Sequence, residues 1–249
     1  MRFPTIRSIW PAGAFGWGRR SNMELKPIAR IESPFPEKFG VPRQSGLIGS
    51  LRAWVVFEPE YRVREAFREL EGFSHIWLLW EFSKARRTQW TPTVRPPRLG
   101  GNRRVGVFAS RSPFRPNPIG LSCVALEAVD WEAPDGPRLL VGGADLMDGT
   151  PIFDVKPYLP QADCRPEAAG GYTDETPWQE LRVEIPPELL EKVPPSSREA
   201  LAQVLAADPR PHYHKDPQRI YGMGFAGMEV RFTVDQGLLR VVDVARKES

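Results

Sequence analysis

From Lys26 onward the apolar positions fall in short runs that predict strands, with one early helix among them. Leu51–Phe57 and Ile76–Phe82, rich in Trp, Val and Leu, predict two strands. Between them Val63, Phe67 and Leu70 recur at helical spacing and Gly72 follows, which predicts a short amphipathic helix with a glycine stop. Val105–Ser110, Leu121–Val129, Arg138–Gly143 and Ile152–Val155 predict further strands, separated by the turn signals Gly100-Gly101-Asn102, Pro134-Asp135-Gly136 and Asp148-Gly149. Many short strands without regularly alternating helices argue for a small barrel over a doubly wound sheet. No glycine-rich strand-to-helix turn of the dinucleotide-binding type is present, so a nucleotide-like cofactor must be held another way.

Composition shifts over Ala162–Thr176, where Asp, Glu, Gly, Ala and Pro predominate, and this reads as a linker. Beyond it Leu181–Ile185 alternates like a strand, and Ser196 with Glu199 predicts a capping box opening a helix over Arg198–Ala207 with Leu201, Val204 and Leu205 on one face. Met228–Val234 and Leu238–Val244 alternate around Asp235-Gln236-Gly237, a hairpin with a three-residue loop. The expected fold is therefore mainly β with an α+β part: a barrel over 24–165, a linker over 166–177 and a smaller α+β domain over 178–249. Residues 1–22 read as a disordered leader, with Met23 the natural start of the folded part. The uncharged stretch Ser8–Gly18 precedes Arg19-Arg20, the reverse of a secretory signal.

Charge changes this picture more than composition does. Two cysteines, Cys123 and Cys164, are too few for a disulfide framework or a thiolate metal site, so a reducing cytoplasm is expected and no metal. No apolar run approaches the roughly 20 residues that cross a bilayer. Net charge is only +3, yet no Asp or Glu occurs between Glu81 and Glu127, while Lys84, Arg86, Arg87, Arg95, Arg98, Arg103, Arg104, Arg111 and Arg115 all lie there. Such a field attracts polyanions, nucleic acid above all, although a solvated basic face would look the same. Prolines 92, 96, 97, 113, 116 and 118 favour the first reading, because they hold the arginines on shaped loops.

Two segments could carry chemistry. Arg104–Leu121 runs from a strand through a stiff loop presenting Arg111, Arg115 and Asn117 into another strand. Gly142–Tyr158 contains Asp145, Asp148, Asp154, Lys156 and Tyr158, and the strand period sends Asp154 and Lys156 to one face. Such a pair is more often a plain ion pair than a catalytic dyad; a carboxylate and a phenol beside it narrow that difference. His75 lacks a histidine partner at metal-ligand spacing and reads as a core or hinge residue. His212 and His214 flank Tyr213 near Arg210 and Lys215, which suits either an RNA-contacting loop or a structural one.

Both segments resemble the signature stretches of the TsaA-like family. The resemblance extends through Pro42-Arg43-Gln44, Gly72–Trp77, Val94–Asn102 and Asp208–Pro211, and covers nearly everything from Ile28 onward. It implies a β-barrel binding S-adenosylmethionine, a C-terminal tRNA-contacting module and a homodimer, methylating N6 of N6-threonylcarbamoyladenosine beside the anticodon of a threonine tRNA. By motif, the cofactor shell would comprise Arg43, Gln44, Ser45, Ser83, Lys84, Arg111, Leu121 and Gly142, Gly143, Ala144, Asp145. Arg95, Arg98, Arg115, Asn117, Arg210 and Tyr213 are the candidates for tRNA. The target nitrogen shares its lone pair with the purine and the ureido carbonyl, so a general base is expected: Asp154 or Asp148, with Lys156 and Tyr158 orienting base or substrate. Two alternatives stand beside this. A non-catalytic RNA-binding barrel gains nothing from the carboxylates, and a small-molecule methyltransferase leaves the basic run unexplained.

Overall fold

A computed structural model describes residues 24–85, 89–96, 99, 103–175, 180–210 and 216–247. Six strands close a barrel: β1 (Ala29–Glu32), β2 (Arg52–Phe57), β3 (His75–Glu81), β6 (Ile119–Asp130), β7 (Arg138–Gly142) and β8 (Pro151–Pro157). Their order around the barrel is β1-β2-β7-β6-β3-β8, every neighbouring pair antiparallel. Alternation explains the closure: Val55, Ile76, Leu78, Val124, Leu139, Val141 and Ile152 fill the interior, while the residues between them face outward. Between β3 and β6 the chain leaves the barrel and forms a small hairpin, β4 (Thr93–Val94) against β5 (Val105–Gly106).

After β8 come a one-turn helix α1 (Pro160–Asp163) and a 3-10 turn at Gly171–Thr173. A four-stranded sheet follows in the order β10 (Tyr221–Phe225), β11 (Met228–Asp235), β12 (Leu238–Arg246), β9 (Arg182–Glu184), with β9 parallel to β12. Between β9 and β10 lie α2 (Pro187–Leu190) and α3 (Arg198–Ala206). Leu201, Val204 and Leu205 of α3 pack with Phe225, Phe232 and Leu239 into a second core. That core also takes Phe35, Ile48 and Leu51 from the segment joining β1 to β2. Phe35 meets Phe225 edge-on at 5.4 Å, the Ala226 amide donates to Pro34 O at 2.8 Å, and Ser50 Oγ donates to Gln203 Oε1 at 2.8 Å. The loop carrying Arg43, Gln44 and Ser45 is thus anchored to both hydrophobic units.

Four local expectations are corrected. The helix predicted over Val63–Leu70 is instead two 3-10 turns, Arg64–Phe67 and Leu70–Gly72, because Arg68 is extended and Glu69 is left-handed at φ 66°. Phe67 gains more by packing edge-on to Phe57 at 4.7 Å than a continuous helix offers, and Val63 is left exposed. The strand predicted over Val105–Ser110 stops at Gly106, where a 3-10 turn buries Val107 and Ser110 Oγ bonds back to its carbonyl at 2.9 Å. No capping box forms at α3: Ser196 lies inside the 3-10 turn Pro195–Ser197, and Glu199 accepts from Gln203 Nε2 instead. The β11–β12 hairpin turns on two residues, Gln236 and Gly237, both at positive φ, with Asp235 paired to Leu238. Among the described residues no helix is long and apolar enough to cross a membrane, and no cluster of His, Cys, Asp or Glu could hold a metal ion.

Candidate active site

β6 pairs with β7 only from Ala125 onward, where Ala125 faces Gly142. The earlier part of that β6 edge is occupied by the loop at 43–46: the Cys123 amide donates to Ser45 Oγ at 3.1 Å. The Gly46 amide donates to Gly143 O at 2.9 Å, and the Gly143 amide to Leu51 O at 2.8 Å. Gly143 sits at φ +74°, and a Cβ there would lie 3.1 Å from the Gly46 Cα. Glycine is thus needed twice over, for the left-handed backbone and for the close approach of two main chains.

Three predicted cofactor residues meet at this junction. Arg111 Nη1 donates to Gln44 Oε1 at 2.5 Å, and Arg111 lies near enough to Asp145 to favour its ionised form. Asp145 accepts from Ser122 Oγ at 2.5 Å, and Ser122 Oγ accepts from Trp80 Nε1 at 2.9 Å. Burial pushes the Asp145 carboxyl above its ordinary value; Ser122, the Ser45 amide and Arg111 pull the other way and do not cancel it. Gly142 and Ala144 are buried beside it. Arg43 is half-buried, its Nη2 3.5 Å from Arg210 O. The sequence offered Trp80 only as barrel core or interface, and Ser122 and Gly120 not at all. A Cβ at Gly120 would run into the Trp80 indole, so glycine there lets the ring reach Ser122. The available signal was a hydroxyl at an inward position of a strand whose next inward residue is Val124.

Because the folded chain binds a proton at Asp145 more readily than the unfolded chain, ionisation there opposes folding. The wild type should gain stability relative to Asp145→Asn as pH falls from neutrality through that raised titration. Paired thermal melts over this range check it. A difference that stays flat with pH would show that the surrounding donors balance burial, and one that runs the other way that they outweigh it.

A second group lies on the outer face of the barrel. Across β6, β3 and β8 the register aligns Leu121, Leu79 and Asp154 in one row, and Cys123, Trp77 and Lys156 in the next. At about 5 Å per strand, Leu121 and Asp154 stand roughly 10 Å apart on one surface. Lys156 Nζ pairs with Asp154 Oδ2 at 2.8 Å, as the strand period predicts. Tyr158 packs on Trp77 at 5.8 Å, and desolvation, then Cys164, pushes its phenol up. Asp148 is placed elsewhere: its Oδ1 accepts the Ser33 amide at 3.0 Å and its own amide donates to Phe35 O, which secures the turn beneath the 33–51 segment.

The remaining candidates are dispersed. Ser83 and Lys84 occupy the 3-10 turn directly after β3, Lys84 exposed. Arg95 and Asn117 are exposed, and Arg115 Nη1 donates to Ser110 O at 3.0 Å, folding its own loop. Arg210 is largely buried, held by Asp208 through Nε at 2.9 Å and Nη2 at 3.0 Å, bonds that raise its pKa. Arg98 and Tyr213 lie outside the described residues, as do His212, His214 and Lys215.

Family models match both parts of the chain: the tRNA-methyltransferase O N-terminal domain over residues 30–164, and the TrmO C-terminal domain over 179–247. The chain belongs to the tRNA-methyltransferase O family. It is 43% identical over 222 residues to the tRNA (adenine(37)-N6)-methyltransferase of Escherichia coli (strain K12), covering 86% of this chain and 94% of that protein. It is 47% identical over 178 residues to the enzyme of the same name from Eikenella corrodens, covering 71% and 99%. A Pseudomonas aeruginosa relative, 42% identical over 229 residues (89% and 97%), is named a putative S-adenosylmethionine-dependent methyltransferase. The crystal structure of TrmO from Pseudomonas aeruginosa aligns with a TM-score of 0.72 at 33% identity, over 90% of this chain and 98% of that one. The N-terminal match of this tRNA-methyltransferase O chain contains both clusters, the Gln44–Arg111–Asp145 junction and the Leu121–Asp154 row.

Proposed function

We propose that this chain is an S-adenosylmethionine-dependent tRNA methyltransferase that acts on N6 of adenosine 37, and that its substrate is N6-threonylcarbamoyladenosine in threonine tRNA. Family membership across both parts of the chain supports the enzyme, the donor and the adenosine-37 reaction. The observation that carries the mechanism is the outer-face row, which sets the half-exposed Leu121 across from an ion-paired carboxylate at Asp154.

The residues at the junction suit the donor. Arg111 offers a cation to a methionine carboxylate, Leu121 an apolar wall, and the left-handed Gly46, with open space at its Cβ position, a backbone that a flat nucleoside can approach closely. The donor supplies an activated methyl on a sulfonium. The chain's task is to align the nitrogen with it and to take a proton. Asp154 is assigned the proton because it shares the outer-face row with Leu121, whereas Asp148 secures the turn at Ser33; Asp154 Oδ1 accepts the Val155 amide at 2.9 Å and its Oδ2 faces Lys156. Lys156 holds Asp154 in place, and its exposed ammonium suits the carboxylate of a threonylcarbamoyl group. Asp145, surrounded by donors, is a positioning residue that keeps Arg111 and the 43–46 loop against β6.

Purified protein should methylate threonine tRNA that carries threonylcarbamoyladenosine and leave the same tRNA with bare adenosine 37 unmodified, with the product located at N6 by nucleoside mass spectrometry. Equal methylation of both would remove the threonylcarbamoyl requirement. Methylation of neither would sink the assignment.

A further inference from the structure

Two aromatic rings that no core claims flank the hairpin β4–β5: Trp90 before β4 and Phe108 in the 3-10 turn after β5. Trp90 and Phe108 stack on each other with ring centroids 6.2 Å apart and an interplanar angle of 29°. Phe108 is 74% exposed and Trp90 49%, and neither belongs to either hydrophobic core. The backbone beneath them is built: Val107 N donates to Pro92 O at 2.9 Å, Thr93 pairs with Gly106, and the buried Val107 pins the turn that projects Phe108. Arg95, Arg104 and Arg111 are exposed around them; Arg104 Nη1 donates to Thr93 Oγ1, which ties it to the hairpin. Arg103 is already answered by Glu175 at 2.9 Å.

Rigid aromatic faces set among arginines, on a stretch without a single acid, have the chemistry of a single-stranded nucleic-acid platform: bases stack on the rings and phosphates take the cations. A second copy of this chain fits less well, since apposing the patch to itself would set Arg95, Arg104 and Arg111 against their like. The patch also adjoins the candidate site, because Arg111 lies three residues after Phe108, just beyond the end of the turn. We propose that Trp90 and Phe108 form a stacking platform for an unpaired base next to the methylated adenosine in the anticodon loop, with Arg95 and Arg104 on the flanking phosphates. The proposal rests on the tRNA-methyltransferase reading.

The test compares the full chain with Trp90→Ala, Phe108→Ala, the double variant and the conservative Trp90→Phe. The probe is a fluorescein-labelled 17-nucleotide anticodon stem-loop of threonine tRNA, read by anisotropy, alongside methylation kinetics, calorimetric S-adenosylmethionine affinity and solution mass. Each alanine variant should bind the stem-loop roughly 5- to 100-fold more weakly, the worth of one stacked base. KM for tRNA should rise, while cofactor affinity, melting temperature and solution mass stay unchanged; Trp90→Phe should keep most of the binding. Unlabelled stem-loop should quench wild-type tryptophan fluorescence, and Trp90→Phe should remove much of that quenching. Unaltered stem-loop affinity in the double variant, with wild-type activity intact, overturns the platform alone. A fall in solution mass in the alanine variants overturns it in favour of a protein contact. A wild-type protein that neither binds the stem-loop nor methylates tRNA overturns the parent reading, and the platform with it.

Discussion

Asp154→Asn should lower kcat by about 10²–10⁴-fold, the range that a positioned general base contributes. The target nitrogen is conjugated to both a purine and a ureido carbonyl, so its lone pair is poorly available until its proton leaves. Asparagine keeps the shape and an acceptor oxygen but cannot take that proton. Asp154 stands across β3 from Leu121, and its side chain bonds Lys156 and the Val155 amide rather than Gln44, Arg111 or Asp145, so S-adenosylmethionine affinity should stay near the wild-type value. Lys156→Met is the necessary control: it removes the ion-pair partner at 2.8 Å without touching the carboxylate, and should give a smaller loss in kcat together with a rise in KM for tRNA. Stopped assays at saturating cofactor, with calorimetry for binding, separate the two effects. Unchanged turnover in Asp154→Asn removes that residue from proton transfer.

The largest effect on stability is expected from Phe35→Ala, about 3–5 kcal/mol by the usual cost of emptying a buried phenylalanine site. Phe35 is fully buried although it comes from the segment between two barrel strands, and its ring fills the second core beside Phe225. Its carbonyl also receives the Asp148 amide, and the adjacent Pro34 carbonyl receives the Ala226 amide. Alanine would leave those main-chain bonds in place but open a cavity under the loop that carries Gln44 and Ser45. Weaker S-adenosylmethionine binding should therefore accompany the lost stability. Urea titration reports the first quantity and calorimetry the second. A loss below about 1 kcal/mol would mean that the core closes around the gap and that the segment is less of a wedge than its burial implies.

Much of this was legible in the chain because its signals are local. The alternation of Ile76, Leu78 and Trp80 against Trp77 and Leu79 describes a strand with one dry face whatever it pairs with. The spacing of Asp154 and Lys156 sends both to one face for the same reason, and the ion pair follows. Local signals misled where a competing contact was stronger. Val63, Phe67 and Leu70 have helical spacing, yet Phe67 is drawn to Phe57 and the backbone turns over at Glu69. Ser196 and Glu199 have capping spacing, yet the preceding prolines already make a turn that runs into α3.

Most strands, the barrel class and the acid-free basic stretch needed nothing beyond residue order, since periodicity and charge are properties of neighbours along the chain; β1 and β10 are not among the strands predicted, and the one expected over Val105–Ser110 ends at Gly106. Partnership between distant segments needed the folded molecule. No pattern in 33–51 announces that Phe35 belongs to one core while Ser45 bonds the Cys123 amide on a barrel strand 78 residues away. Nor does the sequence divide its carboxylates into a desolvated Asp145 among donors, an Asp148 holding a turn and a half-buried Asp154 beside Lys156. Burial and donors set what a carboxylate can do, and both are supplied by residues that only closure of the barrel brings near.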